Sequence, residues 1–191
     1  MYKILTINDN VRVPPIKFDI PIKDAVKESL QEQVEGSVDP NQGVFLVVTE
    51  VTEVGDGKIV PEDGAIHYPS TYKVLTFKPE ENEIVLGEIV DITEFGAFTR
   101  IGPLDALVHV SQIMDDKVSY DPKNATFTGK KSGLKLKEGD VVRVRVVGVS
   151  LGKNKTKISL TMRQPELGAI TWIEKSKKST KKPAKAAAKK K

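Results

Sequence analysis

From Ile84 to Met162 the chain runs largely in a period of two, most plainly in "DVVRVRVVGVSL" at 140–151 and "TKISLTM" at 156–162. Such alternation puts one set of side chains on each face of a pleated strand. "IVLGEIVDITEFGAFTRI" and "ALVHVSQI" read the same way, with glycine-rich turns between the runs. Four or five short strands in about 80 residues must cover one another's apolar faces, and the compact solution is a small barrel of the OB type. This barrel is expected over residues 83–165. A long insertion at 112–138 interrupts it. Loops of that length inside a compact domain are uncommon and often functional. Within it, "ATFTGKKSGLKL" reads as a hairpin.

Residues 1–80 follow a different pattern, that of an α+β domain. An alternating strand at 2–13 stops at Pro14-Pro15. A helix follows from Pro21 to Val34, with Ile22, Ala25, Val26, Leu30 and Val34 at helical spacing and Gly36 suited to its C-terminal end. "GVFLVVTEVTEV" at 43–54 reads as a strand, and "GDG" at 55–57 as a tight turn. "KIVPEDGAIHY" and "TYKVLTF" read as two further strands. The polar stretch "KPEENE" at 78–83 marks the boundary between domains. "PELGAITWIEK" reads as a short helix carrying Trp172, either a partner anchor or packing against the barrel. From Glu174 to Lys191 the sequence is lysine-rich, of low complexity, and expected to be disordered.

Charge follows this division. Residues 1–82 hold 8 Lys/Arg against 14 Asp/Glu, whereas residues 174–191 hold 9 Lys against Glu174 alone, so the basic balance belongs to the tail. Inside the barrel, residues 123–163 hold 11 Lys/Arg against Glu138 and Asp140, while 83–122 hold 2 against 8. The chain has no cysteine, which excludes disulfides and thiolate zinc sites and fits a reducing cytoplasm. No apolar run approaches the ~18–20 residues of a membrane span.

If Val142, Val144 and Val146 face the core, Arg143 and Arg145 face out. If Ile158, Leu160 and Met162 are core, Lys157 and Arg163 lie on the outer surface. His109, next to Val108, faces out by the same argument. Phe95 and Phe98 are three apart, so a regular strand would split them between faces. Gly96 is a candidate bulge that would bring both rings to one side. A positive sector beside exposed rings suits single-stranded nucleic acid, because cations track phosphates while rings stack on bases. No Ser-His-Asp arrangement, Walker loop or H-E-x-x-H motif occurs. Asp115-Asp116 reads as a solvated pair and His67 as structural. No catalytic residue, metal or cofactor is therefore assigned.

"GEIVDITEFGAFTRIGPLDALVHVSQI" followed by "GDVVRVRVVGVSLGKNKTKISLTM" resembles the RNA-binding OB domain repeated in the largest small-subunit ribosomal protein. That resemblance implies an RNA site at Phe95, Phe98, His109 and Lys157, with Arg143 and Arg145 added by the alternation. With "MYKILTINDNVRVPP", "GKIVPEDGAIHY" and the insertion's "SYDP", residues 1 to about 170 resemble the E-prime subunit family of archaeal RNA polymerases. That family is the counterpart of the seventh subunit of eukaryotic RNA polymerase II. The resemblance implies an N-terminal tip domain of truncated RNP-like fold that docks on core subunits of the polymerase. It also implies pairing with the polymerase's F subunit in a stalk, and a barrel that binds nascent single-stranded RNA without catalysing a reaction. No membrane partner is implied. The alternatives are an RNA-binding subunit of an exosome or translation-initiation complex, and a nuclease. An exosome cap would carry a G-x-x-G loop or a zinc ribbon, and neither is present.

Overall fold

A computed structural model describes residues 1–152 and 156–180. The chain divides into two compact units, the first built mainly on residues 1–79 and the second on residues 80–150 and 156–180.

The first unit contains β1 (Tyr2–Val13), α1 (Ile22–Val34), β2 (Val38–Asp39), β3 (Gly43–Val54), β4 (Lys58–Ile59) and β5 (Ile66–Phe77). The sheet order is β1-β5-β3-β2, with β4 also paired to β5. The central strand, β5, pairs with β1 without a break from Tyr2↔Phe77 to Val13↔Ile66. The helix starts after Pro21 and carries Asp24 in its first turn, where a negative charge favours the helix dipole. It buries Ala25, Val26 and Leu30 against Val11, Val13, Val48, Val51, Tyr72 and Val74. Ile22, expected on that face, is exposed. Gly36, at φ +78°, lies just past the helix end.

Two expectations here need correction. The predicted strands "KIVPEDGAIHY" and "TYKVLTF" are β4 followed by one long strand, β5, which passes straight through Pro69. "GDG" is not a hairpin turn either. Val54 pairs with Ser70 and Lys58 with His67, so β4 continues β3 along the same neighbour after a short interruption. The glycines meet a need for space. A Cβ on Gly57 would lie 2.6 Å from Ile66 Cγ2 and 2.7 Å from the Tyr68 ring. Gly55 N–H donates to the Pro69 carbonyl at 2.8 Å. Because the edge is interrupted opposite Pro69, the proline's missing N–H does not cost β5 its continuity.

The second unit contains β6 (Ile84–Thr93), β7 (Gly96–Ile101), β8 (Leu104–His109), β9 (Val118–Asp121), β10 (Thr126–Gly129), β11 (Lys135–Lys137), β12 (Val141–Ser150), β13 (Lys157–Thr161), β14 (Gly168–Ala169) and α2 (Ile170–Thr180). Strands β13-β8-β7-β6-β12 are neighbours in that order, and β12 pairs back to β13, which closes a five-stranded barrel. Ile89, Ile92, Ala97, Ile101, Ala106, Val108, Val142, Val144, Val146, Ile158 and Leu160 fill it. An α+β unit is thus followed by an all-β barrel, as the patterns predict.

The insertion is an element of the core rather than a loose loop. Its three strands form a sheet in the order β11-β10-β9, including the predicted hairpin. Phe127 and Leu136 are completely buried in the barrel's apolar cluster. At the other end, β14 pairs with β12, and Ala169 and Trp172 pack on the same cluster. Trp172 Nε1 donates to the Lys135 carbonyl at 3.1 Å, which identifies the indole as packing. The barrel unit therefore runs past residue 165, and α2 is helical through Thr180 rather than disordered from Glu174. The rest of the predicted tail, 181–191, lies outside the described residues. Among the described residues no helix is long and apolar enough to cross a membrane.

The loop between β4 and β5 is held by charge. Arg12 donates to both Asp63 carboxylate oxygens, Nε at 2.9 Å and Nη2 at 2.8 Å. His67 Nε2 lies 3.0 Å from Asp63, and Ala65 N–H donates to it at 3.2 Å. His67 is structural, as expected. The Arg12 hydrogen bonds, then that of His67, hold the Asp63 carboxyl well below the usual carboxylate range. A depressed folded-state pKa gives stabilisation that is full above the unfolded value, about 3.9, and lost as pH falls toward the folded one. NMR titration followed at the Asp63 carboxyl carbon should place its protonation below the ordinary aspartate value, about 3.9. Asp63→Asn should abolish that acid step; a midpoint at or above the ordinary aspartate value would refute the assignment.

Candidate nucleic-acid interface

The rings of Phe95 and Phe98 do share one side, by a route the sequence does not suggest. Gly96 is not a bulge within a strand. Strand β6 ends at Thr93, Glu94 and Phe95 form a two-residue turn, and β7 begins at Gly96, paired with Thr93. The register shift lies on the opposite strand, between Ile89 and Asp91, which leaves Val90 unpaired. Neither turn residue has positive φ, so the turn is not one of the primed types whose twist suits hairpins. Two other bonds fix it. Val110 N–H donates to the Phe95 carbonyl at 2.9 Å, and Thr93 Oγ1 to the Gly96 carbonyl at 3.0 Å.

Inward Ala97, Thr99 and Ile101 on β7 are buried, which turns Phe98 and Arg100 outward. Phe95, on the turn, is 52% exposed. Its ring meets Phe98 edge to face, with centroids 6.0 Å apart and planes at 89°, a favoured aromatic geometry. Gly96 pairs with His109 and Phe98 with Leu107, so β8 sets the imidazole beside the rings. His109 is exposed because Val108, its neighbour, is fully buried. Its Nδ1 accepts from Ser111 N–H at 3.3 Å and lies 2.9 Å from Ser111 Oγ. That leaves Nε2 as the ring nitrogen available to a ligand. Phe95, Phe98, His109 and Leu107 thus form one surface: an aromatic step, an apolar floor at Leu107 and a donor at its rim. Leu107 was missed by sequence reasoning, although its place in the "ALVHV" alternation marks it as outward.

The basic residues are more scattered. Lys157 is exposed on β13, which runs parallel to β8 with Ser159 beside Leu107. Two residues earlier, Lys157 is level with Asp105, about 13 Å along the strand from the level of His109. Arg143 and Arg145 are on β12, separated from β7 by β6. Arg143 Nη1 donates to the Glu166 carbonyl at 3.4 Å, and Arg145 pairs with Ile84 and Thr161. The acidic pair in the insertion is split. Arg163 donates to Asp115 Oδ1 at 2.9 Å through Nε, while Asp116 accepts the N–H groups of Lys117, Lys131 and Ser132. Those bonds, Ser132 first, lower the Asp116 pKa. Among the described residues no group of three or more metal-ligating side chains occurs.

Comparison with known proteins places both units. Residues 8–64 match the "SHS2 domain found in N terminus of Rpb7p/Rpc25p/MJ0397", and residues 78–163 match the "S1 RNA binding domain". The DNA-directed RNA polymerase subunit Rpo7 of Saccharolobus shibatae is 35% identical over 180 residues, 93% of this chain and 100% of that protein. The chain belongs to the Rpo7 family. The family likeness extends to eukaryotic subunits. RNA polymerase II subunit RPB7 of Glycine max is 23% identical, covering 89% of this chain and 97% of that protein. RNA polymerase III subunit RPC8 of Bos taurus is 24% identical, covering 78% and 76%. The S1 match contains the whole Phe95–Phe98–His109 surface, and with membership of the Rpo7 family shown, the exosome and translation-initiation alternative is not favoured.

The surface depends on Gly96. A Cβ there would lie 2.4 Å from the Val108 carbonyl oxygen and 3.1 Å from His109 Cα, both backbone atoms that cannot swing away. Gly96→Val should therefore part β7 from β8 at a cost of about 1–3 kcal/mol. The melting temperature of a barrel this size should fall by roughly 4–8 °C per kcal/mol. Thermal melts of the full chain measure this, and an unchanged midpoint would show that the strands yield.

Proposed function

We propose that the chain is a non-catalytic stalk subunit of a DNA-directed RNA polymerase that holds nascent single-stranded RNA on the outer surface of its barrel. The observation that carries this reading is the outward cluster of Phe95, Phe98 and His109 within the segment that matches the S1 RNA binding domain. The rings offer π-faces to successive bases, and His109 Nε2 donates to a phosphate or base edge. Lys157 and Arg145 add positive charge along the strand's path, and Arg143 adds charge while held to Glu166. Stacking and phosphate contacts read no base edge in a fixed pattern, so binding is largely independent of sequence.

In the same reading the first unit docks on the polymerase core and the chain pairs with the polymerase's F subunit. Exposed Phe18 and Ile22, which line one depression with Ile20, Ile66 and Tyr68, support the docking, since large apolar side chains gathered on a surface mark interaction sites. The working place is the cytoplasm, with transcription as the process and nucleotidyl transfer left to other subunits.

Phe98→Ala and His109→Ala together should weaken binding of a single-stranded RNA, the lost Phe98 stack alone by about 1–3 kcal/mol, roughly five- to 150-fold. Fluorescence anisotropy reads the affinity, and circular dichroism should show the barrel intact. Unchanged affinity with an intact fold would remove the platform. In a separate incubation with labelled RNA and Mg²⁺ the strand should stay whole, and cleavage would overturn the non-catalytic reading. Affinity purification from native extract should recover polymerase subunits; their absence would count against membership of the complex.

A further inference from the structure

We infer that the outer face of the inserted β9–β11 sheet is a second RNA-backbone site, which extends the path of a single strand beyond the aromatic surface. This rests on the proposed RNA role of the barrel.

The inner face of the insertion is spent on the core, through Tyr120, Phe127 and Leu136. The pairing Thr126↔Lys137, Thr128↔Lys135, Thr126↔Asp121 and Thr128↔Ser119 therefore puts two lysines, one carboxylate (Asp121) and several hydroxyls on the opposite face. Asp121, Asn124, Thr126, Thr128, Lys135 and Lys137 line a depression of about 370 Å³ there. An apolar ligand has nothing to hold in it, and an anionic chain has two ammonium groups and hydroxyl donors.

What sets this face apart from an ordinary solvated one is the fate of its carboxylates. Asp116 is occupied by the N–H groups of Lys117, Lys131 and Ser132. Asp121 accepts from Lys123 N–H at 3.0 Å and Asn124 Nδ2 at 2.7 Å. Asp140 accepts from Lys137 N–H at 2.8 Å. These neutral donors hold the carboxylates in place and keep Asp116 and Asp121 ionised. The Asn124 hydrogen bond foremost, and the charge of Lys135 as well, lower the Asp121 pKa, so the acids offset part of the lysine charge without tying up an ammonium group. Among the described residues, no ammonium of Lys117, Lys123, Lys130, Lys131, Lys135 or Lys137 forms an ion pair with a carboxylate. Six lysines against Asp116, Asp121, Glu138 and Asp140 leave an excess of positive charge on and around one small sheet, which attracts a polyanion in a salt-dependent way.

The sheet that bears this face abuts, by its inner side, the strand that leads to the first site. Tyr120 on β9 reaches the Ile92 carbonyl at 3.4 Å, close to the Glu94–Phe95 turn. From β9 the sheet runs to β11, about 10 Å across, where the Lys135 carbonyl meets Trp172. A strand stacked on Phe95 and Phe98 would meet β9 next.

The test uses the full chain, the double variant Lys135→Gln/Lys137→Gln, and RNA oligomers of about 4 and about 16 nucleotides, the limits of OB-fold site sizes. The short oligomer should bind both proteins alike. The long one should bind the variant more weakly, and the slope of log affinity against log salt should fall by about 1.4 for two lost phosphate contacts. Trp172 fluorescence and circular dichroism should match the wild type, since only the carbonyl of Lys135 meets the indole. An unchanged slope and affinity for the long oligomer overturns the inference. So does an equal loss for both oligomers, which would make the lysines a general field. The Phe98→Ala/His109→Ala variant, run in parallel, should weaken both oligomers. If it weakens neither, the RNA reading of the barrel fails instead.

Discussion

A sheet of five short strands has two edges that would otherwise be open to water, and here one strand removes both. β13 pairs in parallel with β8 and antiparallel with β12, so the barrel closes through its shortest strand. Closure makes the alternation binding. Once Val142, Val144 and Val146 are sealed inside, a one-residue slip in any strand would turn an apolar row to solvent. Every outward residue then has a fixed address, and the interface is a consequence of that fixed register.

The interface itself depends on a contact that contributes no side chain. Gly96 lies directly against the Val108 carbonyl, which lets β7 and β8 start their pairing at the turn. The turn is tied to Val110, so the Phe95 ring projects beside His109 while Phe98 follows from strand alternation. Two rings three residues apart come together because one sits on a turn and the other on a strand. The insertion uses the same economy, with one face completing the core and the other left polar.

The elements of both units were largely legible in the sequence, because their periods are strong and their ends are marked by Pro21, Gly36 and the polar run at 78–83. The misreadings share a cause. Gly55–Gly57, Pro69 and Gly96 are turn or breaker residues by local rules, yet two of these sites serve close approach between strands and the third an interrupted edge. Local propensity describes what a residue permits, and neighbouring strands determine which permission is used. The helix past Glu174 was missed for a similar reason, since Trp172 and Ile173 anchor it to the barrel from its first turns.

The sequence by itself determined the α+β unit, the all-β barrel, the outward phase of Phe98, His109, Arg143, Arg145 and Lys157, and the likeness to a polymerase subunit. Alternation is enough for the elements and their phase, because which face a residue takes is a local property of a strand, while the likeness rests on the motifs of both units. Only the tertiary structure decided that Phe95 joins Phe98, that Lys157 and the β12 arginines stand apart from His109, and that Asp116 accepts from backbone N–H groups while Asp115 pairs with Arg163. Those facts depend on which strands become neighbours and at what register, and no period in the chain encodes the distance between residues on different strands.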